Sequence, residues 1–112
     1  MNVGIDIIEI SRIKKLIRNK RFLNKVFSTE EVSYCSRKFN PGQHYAVRFA
    51  AKEAIWKAVG EKKLTHKDIN IINSPDGKPE AVLPPKYRRL QKRISVSLSH
   101  TKDFAAAVAV KY

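Results

Sequence analysis

A small α+β domain, a mainly antiparallel sheet packed on one long central helix, is what three stretches of this sequence predict. Residues 3–10, "VGIDIIEI", form a short run dense in β-branched side chains, as strands are. Residues 47–60, "VRFAAKEAIWKAVG", are almost wholly Ala and bulky apolar groups, which fits a helix from about Tyr45 to Val59 with Gly60 as its C-terminal cap. "ISVSLSH" and "FAAAVAV", separated by "TKD", read as a terminal hairpin. The chain has 112 residues, so a single domain over 1–112 accommodates all of these elements.

The elements follow in order. The first strand reads as covered on both faces, with Asp6 inside it. Ser11 is placed to cap a helix with Ile10, Ile13, Leu16 and Ile17 on its apolar side and Arg12, Lys14, Lys15, Arg18 and Arg21 around the rest. Ser28 or Thr29 opens a second helix, whose Glu30 and Glu31 suit the positive end of the helix dipole, and "NPGQ" at 40–43 ends it. Beyond the central helix, "DINIINS" and "EAVL" flank "SPDGKP" at 74–79, a strand pair around a Pro-Gly turn. "PPKYRRLQKR" opens a helix at its prolines and carries the basic cluster Lys86, Arg88, Arg89, Lys92 and Arg93. The sequence has no internal repeat and no low-complexity tract.

Lys and Arg number 23 against 10 Asp and Glu, a net charge of +13. Such a balance draws nucleic acid, anionic membrane, phosphorylated ligands or an acidic protein, and charge does not choose among them. Cys35 is the single cysteine, so an intrachain disulfide and a CxxC site are both excluded. The opening "MNVGIDIIEISRI" is interrupted by Asp6 and Glu9 and lacks a basic region before it, which makes a poor signal peptide. No apolar run approaches the roughly eighteen residues of a membrane span. A cytoplasmic protein is the expectation.

Glu53 is out of place. At about 100° per residue it shares its side of the helix with Phe49, Ala50, Trp56 and Lys57, whereas Arg48 and Lys52 project together from another side. An unpaired buried carboxylate costs several kcal/mol, so Glu53 must be neutralised, paired or bound to a cation. Lys57, four residues on, is an ordinary pairing partner. Asp6 poses the same question among Ile5, Ile7 and Ile8, with a backbone hydrogen bond at a strand end as its plainest answer. If the strand lies on the central helix, the two acids can instead share one hard cation such as Mg²⁺. "SHTK" at 99–102 fits either a solvated turn or a phosphate contact through His100. His44 and His66 read as surface residues without metal-ligand spacing, and Cys35 as a small apolar packing group.

Together, "GIDIIEISRI" (4–13), "FSTEEVSYC" (27–35), "RFAAKEAIWKA" (48–58), "DGKP" (76–79) and "VSLSHTKDFAAA" (96–107) resemble the holo-acyl-carrier-protein synthase family, the small 4'-phosphopantetheinyl transferases of fatty acid synthesis, over nearly the whole chain. The resemblance implies a 4'-phosphopantetheinyl transferase-like fold and magnesium-dependent transfer of 4'-phosphopantetheine from coenzyme A to a serine of apo-acyl carrier protein, releasing adenosine 3',5'-bisphosphate. It also implies that Asp6 and Glu53 are the magnesium ligands and that Glu53 and Lys57 are catalytic, with Lys57 on phosphate oxygens. Arg48, Lys57, His100 and Thr101 would bind coenzyme A, and Arg12, Arg18 and Arg21 on the first helix would receive an acidic helix of the carrier protein. For the proton of the serine, the resemblance leaves Glu53, a metal-bound water and solvent open. Family members resemble one another in forming homotrimers whose active sites are shared between subunits, with no nucleic acid or membrane partner. Two departures stand out: Asn2 where the family usually has Gly, and "GEKK" from Gly60 where it often has a Gly-Thr-Gly turn near the nucleotide, so that Lys62 or Lys63 would supply charge there. A small basic nucleic-acid-binding domain and a structural scaffold are the rival readings. The chain has no RRM aromatic motif, KH-type GxxG loop or zinc spacing, and both rivals leave Asp6 and Glu53 without a purpose.

Overall fold

The computed structural model describes residues 1–112. The elements run β1 (Asn2–Glu9), α1 (Ile10–Leu16), α2 (Lys20–Val26), α3 (Thr29–Ser36), α4 (Pro41–Val59), β2 (Asn70–Asn73), β3 (Pro79–Val82), a 3₁₀ turn (Pro85–Tyr87), α5 (Arg88–Gln91), β4 (Ile94–His100) and β5 (Phe104–Lys111). β5 is the middle strand of an antiparallel sheet ordered β1-β5-β4, and β2 and β3 form a separate antiparallel pair.

Helix α4 is the axis of the molecule. It begins earlier than the sequence pattern predicts, because Pro41 fits a first turn, where its missing N–H is no loss. "NPGQ" therefore starts α4 rather than ending α3, which already stops at Ser36 with Arg37 as its C-cap. At the other end Gly60 takes φ +69°, and its N–H donates to Trp56 O at 3.1 Å. The helix is buried on most sides through Ala46, Ala50, Ala51, Ala54, Ile55 and Ala58. Ala105, Ala107 and Ala109 of β5 are buried with them, and α4 packs on both β5 and β1. Small side chains on both surfaces let helix and sheet approach closely.

Period-two alternation in β1 turns Gly4, Asp6 and Ile8 inward and Val3, Ile5 and Ile7 outward. Only the inward side is covered, contrary to the expectation for this strand: Ile5 and Ile7 are each 68% exposed. A run of β-branched residues reads the same whether its second face is covered by its own chain or left open, which is why the pattern misled.

The basic helix expected from Ser11 through Arg21 is two helices. Asn19 Oδ1 accepts from Arg21 N at 2.9 Å and Phe22 N at 3.2 Å, so the chain turns and starts α2. Arg18 thus lies in the connecting turn and Arg21 in the first turn of α2. Ser11 is not the cap either, since α1 begins at Ile10. "PPKYRRLQKR" gives one 3₁₀ turn and one turn of α5 rather than a longer helix.

Gly4 sets the spacing between β1 and α4. A Cβ at this position would stand 1.9 Å from Ala54 O and 2.9 Å from Ala58 N, both rigid helix backbone. Gly4→Ala should therefore destabilise the protein by about 3 kcal/mol or more, the upper range of overpacking penalties, as measured by chemical denaturation. A loss under ~1 kcal/mol would mean that the strand can lift off the helix at little cost.

Candidate active site

The site is built on two consecutive residues of α4, Lys52 and Glu53. Lys52 lies on the side that was expected to project away, yet it is 0% exposed. Its Nζ meets Glu31 Oε1 at 2.7 Å and donates to His66 O at 2.9 Å and Ile69 O at 2.6 Å. Glu31 is equally committed. Its Oε1 accepts from Ser28 N at 2.9 Å in a capping box that starts α3, and its Oε2 accepts from Ile71 N at 2.9 Å. α3, α4 and β2 are thus tied at one buried point, where removing either charge would leave the other stranded, typically a loss of ~3–5 kcal/mol. Burial lowers the Lys52 pKa, against the opposing pull of Glu31.

Arg48, one turn before Lys52, is also buried. Its guanidinium lies 4.3 Å from the Tyr34 ring centroid, Nη1 donates to His44 O at 3.4 Å, and Nε is buried with no partner.

Glu53 faces a cleft of about 510 Å³ lined by Val26, Phe49, Trp56 and Leu64, with Lys25 and Lys67. Its Oε1 is 3.0 Å from His66 Nε2. Lys57 does not pair with Glu53 as the helix spacing predicts. Its Nζ reaches across to β1, donating to Ile5 O at 3.0 Å and lying 3.4 Å from Asp6 Oδ1, with the side chain 48% exposed. Asp6 and Glu53 are near enough for the charge of Glu53 to act on Asp6. The strand lies against the helix, and Asp6 is within electrostatic reach of both Glu53 and Arg12.

No group of three or more His, Cys, Asp or Glu side chains gathers as a metal-ligand set. Two carboxylates suit Mg²⁺, which takes one or two from protein and fills its other positions with water and phosphate oxygens. A cation between them would also relieve the repulsion that Glu53 exerts on Asp6.

His100 closes β4, with its Nε2 3.1 Å from Gln43 Nε2. Thr101 Oγ1 accepts from Asp103 N and Phe104 N, which holds the turn shut. This turn lies by the start of α4. Gln43 and Glu53 are ten residues apart on that helix, about 15 Å along its axis, so the chain does not bring His100 and Thr101 to Glu53.

Comparison with known proteins agrees with this architecture. The sequence profile described as the 4'-phosphopantetheinyl transferase superfamily matches residues 2–109. The chain belongs to that superfamily. It is 45% identical to the holo-[acyl-carrier-protein] synthase of Chlamydia felis, covering 97% of this chain and 94% of that one. It is 44% identical to the same enzyme of Thermodesulfovibrio yellowstonii, covering 96% and 95%. Among solved structures, the Helicobacter pylori synthase in complex with coenzyme A superposes with a TM-score of 0.84 at 34% identity, covering 98% of this chain and 99% of that one. The Neisseria meningitidis synthase superposes with a TM-score of 0.88 at 30% identity, covering 99% and 97%.

Within this family member, His66 corrects the expectation of a surface residue. It is half-buried, hydrogen-bonded to Glu53 and stacked near Phe49 and Trp56. Cys35 packs as expected, and burial pushes its thiol up to about 11. Burial lowers the pKa of His44, and the nearby charges of Arg48, Lys38 and His100 add to the effect.

Burial also raises the Asp6 carboxyl above its ordinary 3.8, more than Lys57 and Arg12 pull it down, and Glu53 adds to the rise. A raised folded-state value favours folding fully below the ordinary value, and that contribution is lost as pH climbs through the folded value. In chelator-treated protein, Asp6→Asn should raise the melting temperature at neutral pH, with the gain vanishing as the pH is lowered toward 3.8. A gain independent of pH would contradict the burial penalty.

Proposed function

We propose that the protein is a holo-acyl-carrier-protein synthase, transferring 4'-phosphopantetheine from coenzyme A to a serine of apo-acyl carrier protein with Mg²⁺ as cofactor. The observation that carries this is the contact of Lys57 with Asp6 across the strand-helix packing, with Glu53 one turn before Lys57 and acting electrostatically on Asp6, in a member of this superfamily. Likeness to synthases named for this reaction, one of them solved with coenzyme A, supports it further.

In this reading Asp6 and Glu53 hold Mg²⁺ through carboxylate oxygens. When bound, the ion offsets charge on the transferring and leaving phosphates and orients them. Lys57, half in solvent, turns its ammonium to the phosphate oxygens. The serine oxygen of the carrier forms the new bond to phosphorus, the bond to the leaving oxygen of adenosine 3',5'-bisphosphate breaks, and the serine proton ends in solvent, whether Glu53 or a water takes it first. Arg48, which lines a small cleft with Tyr34 and Asn73, and His100 and Thr101 supply contacts to coenzyme A, and Lys62 and Lys63 add charge near the turn that follows α4. Arg12, Arg18 and Arg21, exposed on α1, its connecting turn and α2, form the basic surface for the acidic carrier.

The expected outcome is a gain of one phosphopantetheine on apo-acyl carrier protein, seen by intact-mass spectrometry with coenzyme A and Mg²⁺ and lost with chelator. Asp6→Asn and Glu53→Gln should each slow transfer by more than ~100-fold, the upper loss for residues that only support a metal ligand. Arg12→Glu or added salt should raise the KM for the carrier. No gain with several carriers, from folded protein, would overturn the reading.

The outward face of the sheet supports a homotrimer with active sites shared between subunits. Val3, Ile5 and Ile7 of β1 pair in register with Val110, Val108 and Ala106 of β5, an open apolar stripe beside Ser95, Ser97 and Ser99 of β4. Sharing would also join the His100–Thr101 turn of one subunit to the carboxylates of another. Sedimentation velocity should give a trimer, dispersed by Ile5→Lys together with Ile7→Lys, and a native monomer at assay concentration would rule out the shared site.

A further inference from the structure

Glu53 is a flexible side chain on a partly open helix face, and a cation site needs its carboxylate in one place. We propose that His66 is the positioning residue that fixes the Glu53 carboxylate for divalent-cation binding, an inference that rests on the reading of Asp6 and Glu53 as the metal ligands.

Three observations converge on His66. The first is the hydrogen bond of 3.0 Å between its Nε2 and Glu53 Oε1. An ionised carboxylate only accepts, so Nε2 carries the proton and donates, and Oε2 is left for another partner. The second is the orientation of the ring. The imidazole lies 6.2 Å from Phe49 at 22° and 6.1 Å from Trp56 at 26°, both near-parallel. Phe49 and Trp56 stand four residues before and three after Glu53, on its own side of α4, so the ring is held beside the carboxylate. The third is the main chain. His66 O accepts from the fully buried Lys52 Nζ at 2.9 Å, and Lys52 is itself fixed by Glu31 and Ile69 O.

His66 is therefore gripped at its backbone by Lys52 and engaged at its side chain by Glu53, adjacent residues of one helix. A histidine present only to fill the aromatic cleft would need no hydrogen bond to Glu53, and phenylalanine would serve as well. Carboxylate ligands are usually steadied by such outer partners, whose loss weakens metal binding about 10–100-fold.

The test uses Mn²⁺ as a spectroscopic substitute for Mg²⁺, followed by the loss of the free-ion paramagnetic resonance signal. Coenzyme A is present and the carrier protein absent, so no turnover occurs. Native protein, His66→Phe, His66→Gln and Glu53→Gln are compared after melting curves establish that each is folded. Phenylalanine keeps the stack and removes the donor, whereas glutamine keeps a donor near the Nε2 position. His66→Phe should weaken Mn²⁺ binding by about tenfold, and His66→Gln should recover most of that loss. Transfer by His66→Phe should then need more Mg²⁺ yet approach the native kcat at saturation. Native-like Mn²⁺ binding by His66→Phe would overturn the positioning role and leave the metal site standing, as would a His66→Gln protein as weak as His66→Phe. Native protein that stays folded and binds no Mn²⁺ would overturn the metal reading and this inference together.

Discussion

The distance between β1 and α4 governs everything at the candidate site. Gly4 lies so close to Ala54 and Ala58 that no side chain fits between them. Two residues later the same inward face presents Asp6, and because the strand is pressed to the helix there, Asp6 meets the field of Glu53 and the ammonium of Lys57. A larger residue at position 4, or larger ones on the β5 face where Ala105, Ala107 and Ala109 sit, would push the sheet outward. The alanines that look like mere helix and strand filler set how closely the sheet approaches α4.

The other side of α4 is held by a different force. Where β1 approaches through small apolar groups, α3 and the segment before β2 are joined through Lys52 and Glu31, with backbone groups of His66, Ile69, Ile71 and Ser28 satisfying the remaining valences. A buried ion pair gives little net stability against an apolar equivalent, since desolvation offsets most of the attraction. What it does give is direction. An ammonium with three fixed acceptors holds the loop after α4 at one set of positions, which apolar packing alone would not define so closely.

Much of this was legible in the sequence where the signal is local. The strand around Asp6, the α3 start at Ser28 with its acidic first turn, the Gly60 cap and both hairpins follow from periodicity and turn chemistry. What escaped depends on partners far apart in the chain. Lys52 and Glu31 belong to different helices, and His66 reaches Glu53 from thirteen residues on, across the turn after α4. One signal was available for Lys52: a helix apolar on nearly every side is buried on nearly every side, so a charge on it must find its partner inside. The break between α1 and α2 escaped because the apolar pattern continues through Ile17 and Phe22, while the cap that divides the helices is the single residue Asn19.

Asp6 and Glu53 meet unlike partners, and the difference bears on the proposed reaction. Asp6 is answered by Lys57, a half-exposed ammonium on a long stem, whose attachment can be exchanged for phosphate oxygens at little cost. Glu53 is answered by His66, a ring confined by aromatic neighbours and tied at its carbonyl to a buried charge. One partner is free to leave when substrate charge arrives, and the other is built to stay. In the proposed reaction, a site that both admits a diphosphate and keeps a carboxylate aimed needs one of each, and α4 supplies both kinds of control within about two turns, Lys57 directly and His66 through Lys52 and Glu53.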